Sequence, residues 1–120
     1  MVVDDSRAMR MFLSRTLTQS GFAVVQAADG KQGLAMLAEE GQDIRLVLVD
    51  WNMPEMDGLQ FVKHVRAQNA LAEVKLMMVT TETEIEQMAR ALEAGADEYI
   101  MKPFTTEAIQ DKLRLLGVLG

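Results

Sequence analysis

The sequence predicts an α/β fold, a parallel five-stranded sheet covered by helices on both faces. Three observations carry this expectation. Short apolar runs alternate five times with amphipathic stretches along the 120 residues. Two of these runs, "LVLV" at 46–49 and "LMMV" at 76–79, are apolar at every position, as strands buried on both faces require. Gly21, Gly41 and Gly95 stand where helical periodicity stops, and so punctuate the units.

Each element has its own justification. Residues 1–3 form a short first strand. A helix over 7–20 follows, because Met9, Phe12, Leu13 and Leu17 recur at helical spacing, with Ser6 as N-cap. A strand over 23–27 leads to a helix over 31–40, with Leu34, Leu37 and Ala38 inward. The third strand, 45–49, precedes a helix over 59–67 on which Leu59, Val62 and Val65 share a face. The fourth strand, 75–79, precedes a helix over 82–94 carrying Ile85, Met88, Ala89 and Leu92. A fifth strand over 98–101 and a helix over 105–116, with Ile109, Leu113 and Leu116 aligned, complete the chain.

Composition narrows the possible functions. Hydrophobic residues make up 49% and charged residues 25%, which fits one folded domain spanning 1–120. A net charge of −6 argues against binding a phosphate backbone, so no nucleic-acid partner is expected. No apolar run is long enough to insert in a bilayer. The absence of cysteine excludes disulfides and thiolate metal sites. The ten methionines read as adaptable core filler.

Right-handed crossovers put the C-terminal ends of all parallel strands on one edge, and ligands bind beyond that edge. Residues just past each strand are therefore read together. Asp4 and Asp5 follow the first strand, and Asp50, Trp51 and Asn52 the third. Thr80 follows the fourth, and Lys102 with Pro103 the fifth. Two carboxylates about 4 Å apart repel by ~4 kcal/mol at an effective dielectric of 20, so three of them call for compensating charge. Lys102 supplies part of it, and a hard divalent ion such as Mg²⁺ suits an all-oxygen set. With a threonine hydroxyl and a lysine, such a site can receive a phosphoryl group, and Asp50, at the end of the most enclosed strand, is the nucleophile.

Four segments, "VVDDSRAMR", "VDWNMPEMDG", "MMVTTE" and "YIMKPF", resemble the signature segments of the response-regulator receiver family of two-component systems, in order and across essentially the whole chain. The likeness is greatest to stand-alone chemotaxis members. It implies a doubly wound (βα)5 flavodoxin-like fold with strand order 2-1-3-4-5. It also implies a phosphoprotein of the cytoplasm, modified on Asp50 by a histidine kinase, a phosphotransfer protein or a small phosphodonor. Asp5, Asp50 and the backbone carbonyl of Asn52 would bind Mg²⁺ directly, and Asp4 through a water. Lys102 would neutralise phosphoryl oxygens, with a cis bond to Pro103. Thr80 and Tyr99 would form the switch that reshapes the surface of helix four, strand five and helix five for a downstream target. Asn52 and Glu82 would tune the lifetime of the phosphoryl group.

The pattern departs from the family in two places. The first strand is short, and Thr81 is bulkier than the alanine or glycine frequent beside the switch threonine. His64, near Lys63 and Arg66, reads as part of a solvated face. Alternatives are a receiver excised from a longer regulator or phosphorelay protein, an interaction module that has lost phosphorylation, and an aspartate-nucleophile phosphohydrolase. The last needs an acid two residues after its nucleophile, where Asn52 stands.

Overall fold

The computed structural model describes residues 1–40, 43–81 and 86–118. Strands β1 (Val2–Val3), β2 (Gln26–Ala27), β3 (Leu46–Asp50), β4 (Lys75–Thr80) and β5 (Glu98–Met101) alternate with α1 (Arg7–Gln19), α2 (Gly30–Glu40), α3 (Gly58–Arg66), α4 (Met88–Ala94) and α5 (Thr106–Leu115). The sheet order is β2-β1-β3-β4-β5 and every pairing is parallel. This is the expected flavodoxin-like order, which reverses direction between β1 and β3.

Successive strand residues point to opposite faces, so only a strand apolar throughout can feed two core layers. Leu46 and Leu48 of β3 join Val2, Met77 and Val79 on one face, beneath Leu13 and Leu17 of α1 and Ile109 and Leu113 of α5. Val47 and Val49 join Val3, Leu76 and Met78 on the other, against Leu37 of α2, Phe61, Val62 and Val65 of α3, and Met88 and Ala91 of α4. Phe61, Leu48, Met77, Ile109 and Leu113 are fully buried. Each such side chain contributes about 1.5–3 kcal/mol. Met1, Met53, Met77, Met78 and Met88 are buried while Met11 and Met101 are exposed, in keeping with methionine as core filler.

Strand boundaries follow the available partners. β2 covers two of the residues expected at 23–27, because it pairs only with β1, itself two residues long: Val2 faces Gln26 and Val3 faces Ala27. β3 and β4 each run one residue further than expected. Asp50 still pairs with Val79, and Thr80 with Met101. The residues expected just beyond these strands are therefore their last rungs.

Helix faces shift in places. Phe12 is 40% exposed, because Leu13 and Leu17 face the sheet and Phe12 reaches sideways to Phe104, with ring centroids 5.9 Å apart. Ala38 is exposed, while α3 buries Val62 and Val65 with Leu59 partly buried against the same core, and adds Phe61 to that face. On α4 the buried residues are Met88 and Ala91, which turns Ala89 and Leu92 outward. Ile85, Glu82 and the start expected for this helix lie outside the described residues, as does Gly41.

Candidate functional site

The acidic edge begins with the turn after β1. The Asp4 N–H donates to the Ala27 carbonyl at 3.1 Å, which fixes the turn against β2. Asp4 Oδ1 accepts the Ser6 N–H at 2.8 Å, and the Asp4 carbonyl accepts from Arg10 Nη1 at 2.7 Å. Ser6 also caps α1, its hydroxyl accepting from the Met9 N–H. Asp4 is thereby held inward, almost wholly buried, while Asp5 points to solvent.

Asp50 is placed by β3 and by the loop that follows. The Trp51 N–H donates to the Val79 carbonyl at 2.9 Å, extending the β3–β4 pairing past the aspartate. The Gly58 N–H then returns to the Trp51 carbonyl at 2.8 Å. Glu55, after Pro54, adopts φ 66° to reverse the chain, and Asp57 closes a reciprocal capping box with Gln60 at the start of α3. Glycine is required at 58, since a Cβ there would stand 2.8 Å from the Asp50 carbonyl oxygen and 3.0 Å from Trp51 Cα. Trp51 is buried in the core layer under α3. The loop is thus anchored at both ends, and Asp50, 6% exposed, cannot easily turn away.

Side-chain oxygens of Asp4, Asp5 and Asp50 lie within 4.8 Å of one another. Lys102 Nζ is 3.2 Å from Asp50 Oδ1. The lysine is set by β5 and its end, where the Lys102 N–H donates to the Thr80 carbonyl at 2.7 Å and the bond to Pro103 is cis. Burial and the charge of Asp4 push Asp50 up to about 6 from the ordinary 3.8; Lys102 pulls against them, and Asp5 adds a smaller push. Burial likewise raises Asp4, opposed by the Ser6 N–H and Lys102.

Asp4 Oδ2 is buried without a hydrogen-bond partner among the described residues. An unsatisfied buried acceptor costs about 1–3 kcal/mol. A site rich in acid, with one lysine and an orphaned oxygen, fits a hard cation with bound water. The donor set contains neither histidine nor thiolate, which suits Mg²⁺ better than zinc.

Thr80 is fully buried at the end of β4, one rung past Val79, and its hydroxyl donates to the Thr81 carbonyl at 3.3 Å. Tyr99 is half-buried on β5 opposite Met78. Asn52 is exposed in the loop after Asp50, His64 is exposed on α3, and Glu82 lies outside the described residues. Sequence reading missed Arg10, whose bond to the Asp4 carbonyl helps set the acidic turn. Its position on the first turns of α1 was the available signal.

Residues 1–114 match the response regulator receiver domain family. The chain is 41% identical over 121 residues to chemotaxis protein CheY1 of Helicobacter pylori (strain J99), with 100% of this chain and 95% of that protein covered. A CheY homologue of Campylobacter jejuni is also 41% identical, with 91% of its length covered. Among solved structures, chemotaxis protein CheY4 of Vibrio cholerae superposes with TM-score 0.88 at 36% identity, over 96% of this chain and 94% of that one. The receiver domain of NtrX from Brucella abortus gives TM-score 0.86 at 28% identity, over 97% and 96% respectively. The chain belongs to the response regulator receiver domain family, with CheY-type chemotaxis regulators among its relatives.

Proposed function

We propose that the chain accepts a phosphoryl group on Asp50 in a Mg²⁺-dependent transfer and thereby switches protein–protein binding, in chemotaxis by analogy with its relatives. The observation that carries this reading is the meeting of the Asp4, Asp5 and Asp50 oxygens within 4.8 Å, with Lys102 Nζ at 3.2 Å from Asp50. Asp5, Asp50 and the Asn52 backbone carbonyl would hold the cation, and Asp4 would act through a water. When bound, Mg²⁺ neutralises excess acid charge and polarises phosphoryl oxygens.

The chain's own residues do the rest. A carboxylate oxygen of Asp50 forms a bond to phosphorus as the phosphorus–nitrogen bond of a kinase or phosphotransfer-protein phosphohistidine breaks; the leaving imidazole keeps the electron pair and takes a proton from solvent. Lys102, already beside Asp50, then neutralises a phosphoryl oxygen. Thr80 donates its hydroxyl to the new group, and Tyr99 turns inward behind it. Asn52 and Glu82 tune access of the hydrolytic water. Asn52 is an amide where a phosphohydrolase needs an acid, so the domain acts as a switch on its own phosphoryl group, not as an enzyme on an external ester.

The downstream target docks on α4, β5 and α5, where Leu92 and Met101 are each 41% exposed and Tyr99 is half-buried. No helix among the described residues is long and apolar enough to cross a membrane. Labelled acyl phosphate tests the reading. Label should enter the wild-type protein with Mg²⁺ and be lost with chelator or in Asp50→Asn; incorporation independent of Asp50 would overturn it.

A further inference from the structure

Tyr99 is the sole tyrosine of the chain, and its ring is engaged by a residue outside the acidic site. Lys112 of α5 holds its Nζ 4.8 Å from the Tyr99 ring centroid. The same ammonium donates to Glu98 Oε1 at 3.0 Å, and that oxygen also accepts the Tyr99 backbone N–H at 3.0 Å. One carboxylate atom therefore ties the cation to the strand at the very residue that carries the ring. The side chains of Lys112 and Glu98 are 29% and 21% exposed. Partial withdrawal from water strengthens an ammonium's attraction for an aromatic face beyond its value on an open surface.

We propose that Lys112 is a positioning residue that latches Tyr99: its ammonium, fixed by Glu98 and reaching from α5 around the edge of the sheet, holds the ring in its present place and sets how readily the ring leaves. The proposal rests on the reading of Tyr99 as the mobile ring of the phosphoryl switch. An ion pair between Lys112 and Glu98 alone would only join α5 to β5. The ring under the ammonium turns that pair into a bias on one side-chain position. Because Lys112 lies on α5, a partner that displaces α5 also loosens the ring, and an inward ring frees Lys112 for that partner. Such coupling is reciprocal by linkage.

The sole tyrosine permits a direct test. Protein labelled with 3-fluorotyrosine should show one ring resonance, compared without metal and with Mg²⁺ plus beryllofluoride. Lys112→Met should move the metal-free resonance toward its beryllofluoride position, with the present ring position depopulated about fivefold relative to the alternative. Lys112→Arg, which keeps a cation over the ring, should stay near wild type; Lys112→Gln repeats the Met comparison should that variant fold poorly. Coincident metal-free spectra of wild type, Lys112→Gln and Lys112→Met would overturn the latch. Trp51, the sole tryptophan and the neighbour of Asp50, separates this from the parent reading. A normal Trp51 response to beryllofluoride with an unmoved ring in the variants sinks the latch alone. A wild-type protein whose Trp51 ignores beryllofluoride sinks the phosphoacceptor reading, while the metal-free ring comparison still decides the latch.

Discussion

Asp50→Asn should stabilise the metal-free protein near neutral pH, although it deletes an ion pair. The reason is the net environment of the carboxylate: burial and Asp4 outweigh the Lys102 contact at 3.2 Å, and Asp50 sits at about 6 in place of 3.8. That difference corresponds to about 3 kcal/mol of folding energy spent on holding Asp50 ionised. The sign follows from proton counting. Between 3.8 and about 6 the folded state binds more protons than the unfolded chain, so stability falls as pH rises through that window and then levels off. An isosteric amide removes the penalty, leaving a gain of about 2–3 kcal/mol near pH 7 that fades toward pH 4. Urea unfolding in chelator, followed by far-UV circular dichroism, should move the midpoint up by roughly 1 M for a slope near 2 kcal/mol/M. Excess Mg²⁺ should narrow the gap, because it stabilises the wild type by about 2.7 kcal/mol at one hundred times its dissociation constant and the variant much less. An Asp50→Asn protein no more stable than wild type at neutral pH in chelator, or a gain undiminished at acid pH, would refute the reasoning.

Other perturbations probe neighbouring parts of the site. Mg²⁺ should change Trp51 emission in the wild type and do so weakly in Asp50→Asn; an unchanged spectrum in folded wild-type protein counts against the metal site. Gly58→Ala drives a Cβ against the Asp50 carbonyl and Trp51 Cα, so it should cost about 1–3 kcal/mol in urea unfolding and weaken Mg²⁺ binding as well, whereas full stability would mean that the loop yields to the added methyl. Thr81→Ala should speed loss of the phosphoryl group if the Thr81 side chain narrows access, and equal decay rates would discard that role.

The parts legible in the sequence were those written in local pattern. β3 and β4 announce themselves because a strand feeding both core layers must be apolar at every position. Asp4, Asp5, Asp50 and Lys102 were legible because parallel topology gathers strand ends on one edge, whatever the details of packing. Long-range contacts left no such trace. Arg66 was read only as a neighbour of His64, yet it donates to the Gly95 carbonyl at 2.9 Å and the Val74 carbonyl at 2.7 Å, and pairs with Asp97 at 2.8 Å. It thereby clips α3 to the end of α4 and the start of β4. Periodicity misplaced the outward faces of Phe12 and Leu92, since a helix stripe names a face to within one neighbouring position and packing chooses among them. The length of β2 was equally invisible, being set by how much of β1 it can pair with.

The proposed switch requires Asp50 to be the nucleophile whose side chain becomes covalently modified. Reductive trapping addresses this directly: protein treated with a small acyl phosphate and Mg²⁺ is reduced with borohydride, and the modified residue is located by peptide mapping. The predicted result is conversion of the aspartate at position 50 to homoserine, abolished by chelator. Trapping at Asp4, Asp5 or no aspartate at all, in protein whose fold is intact, would contradict it.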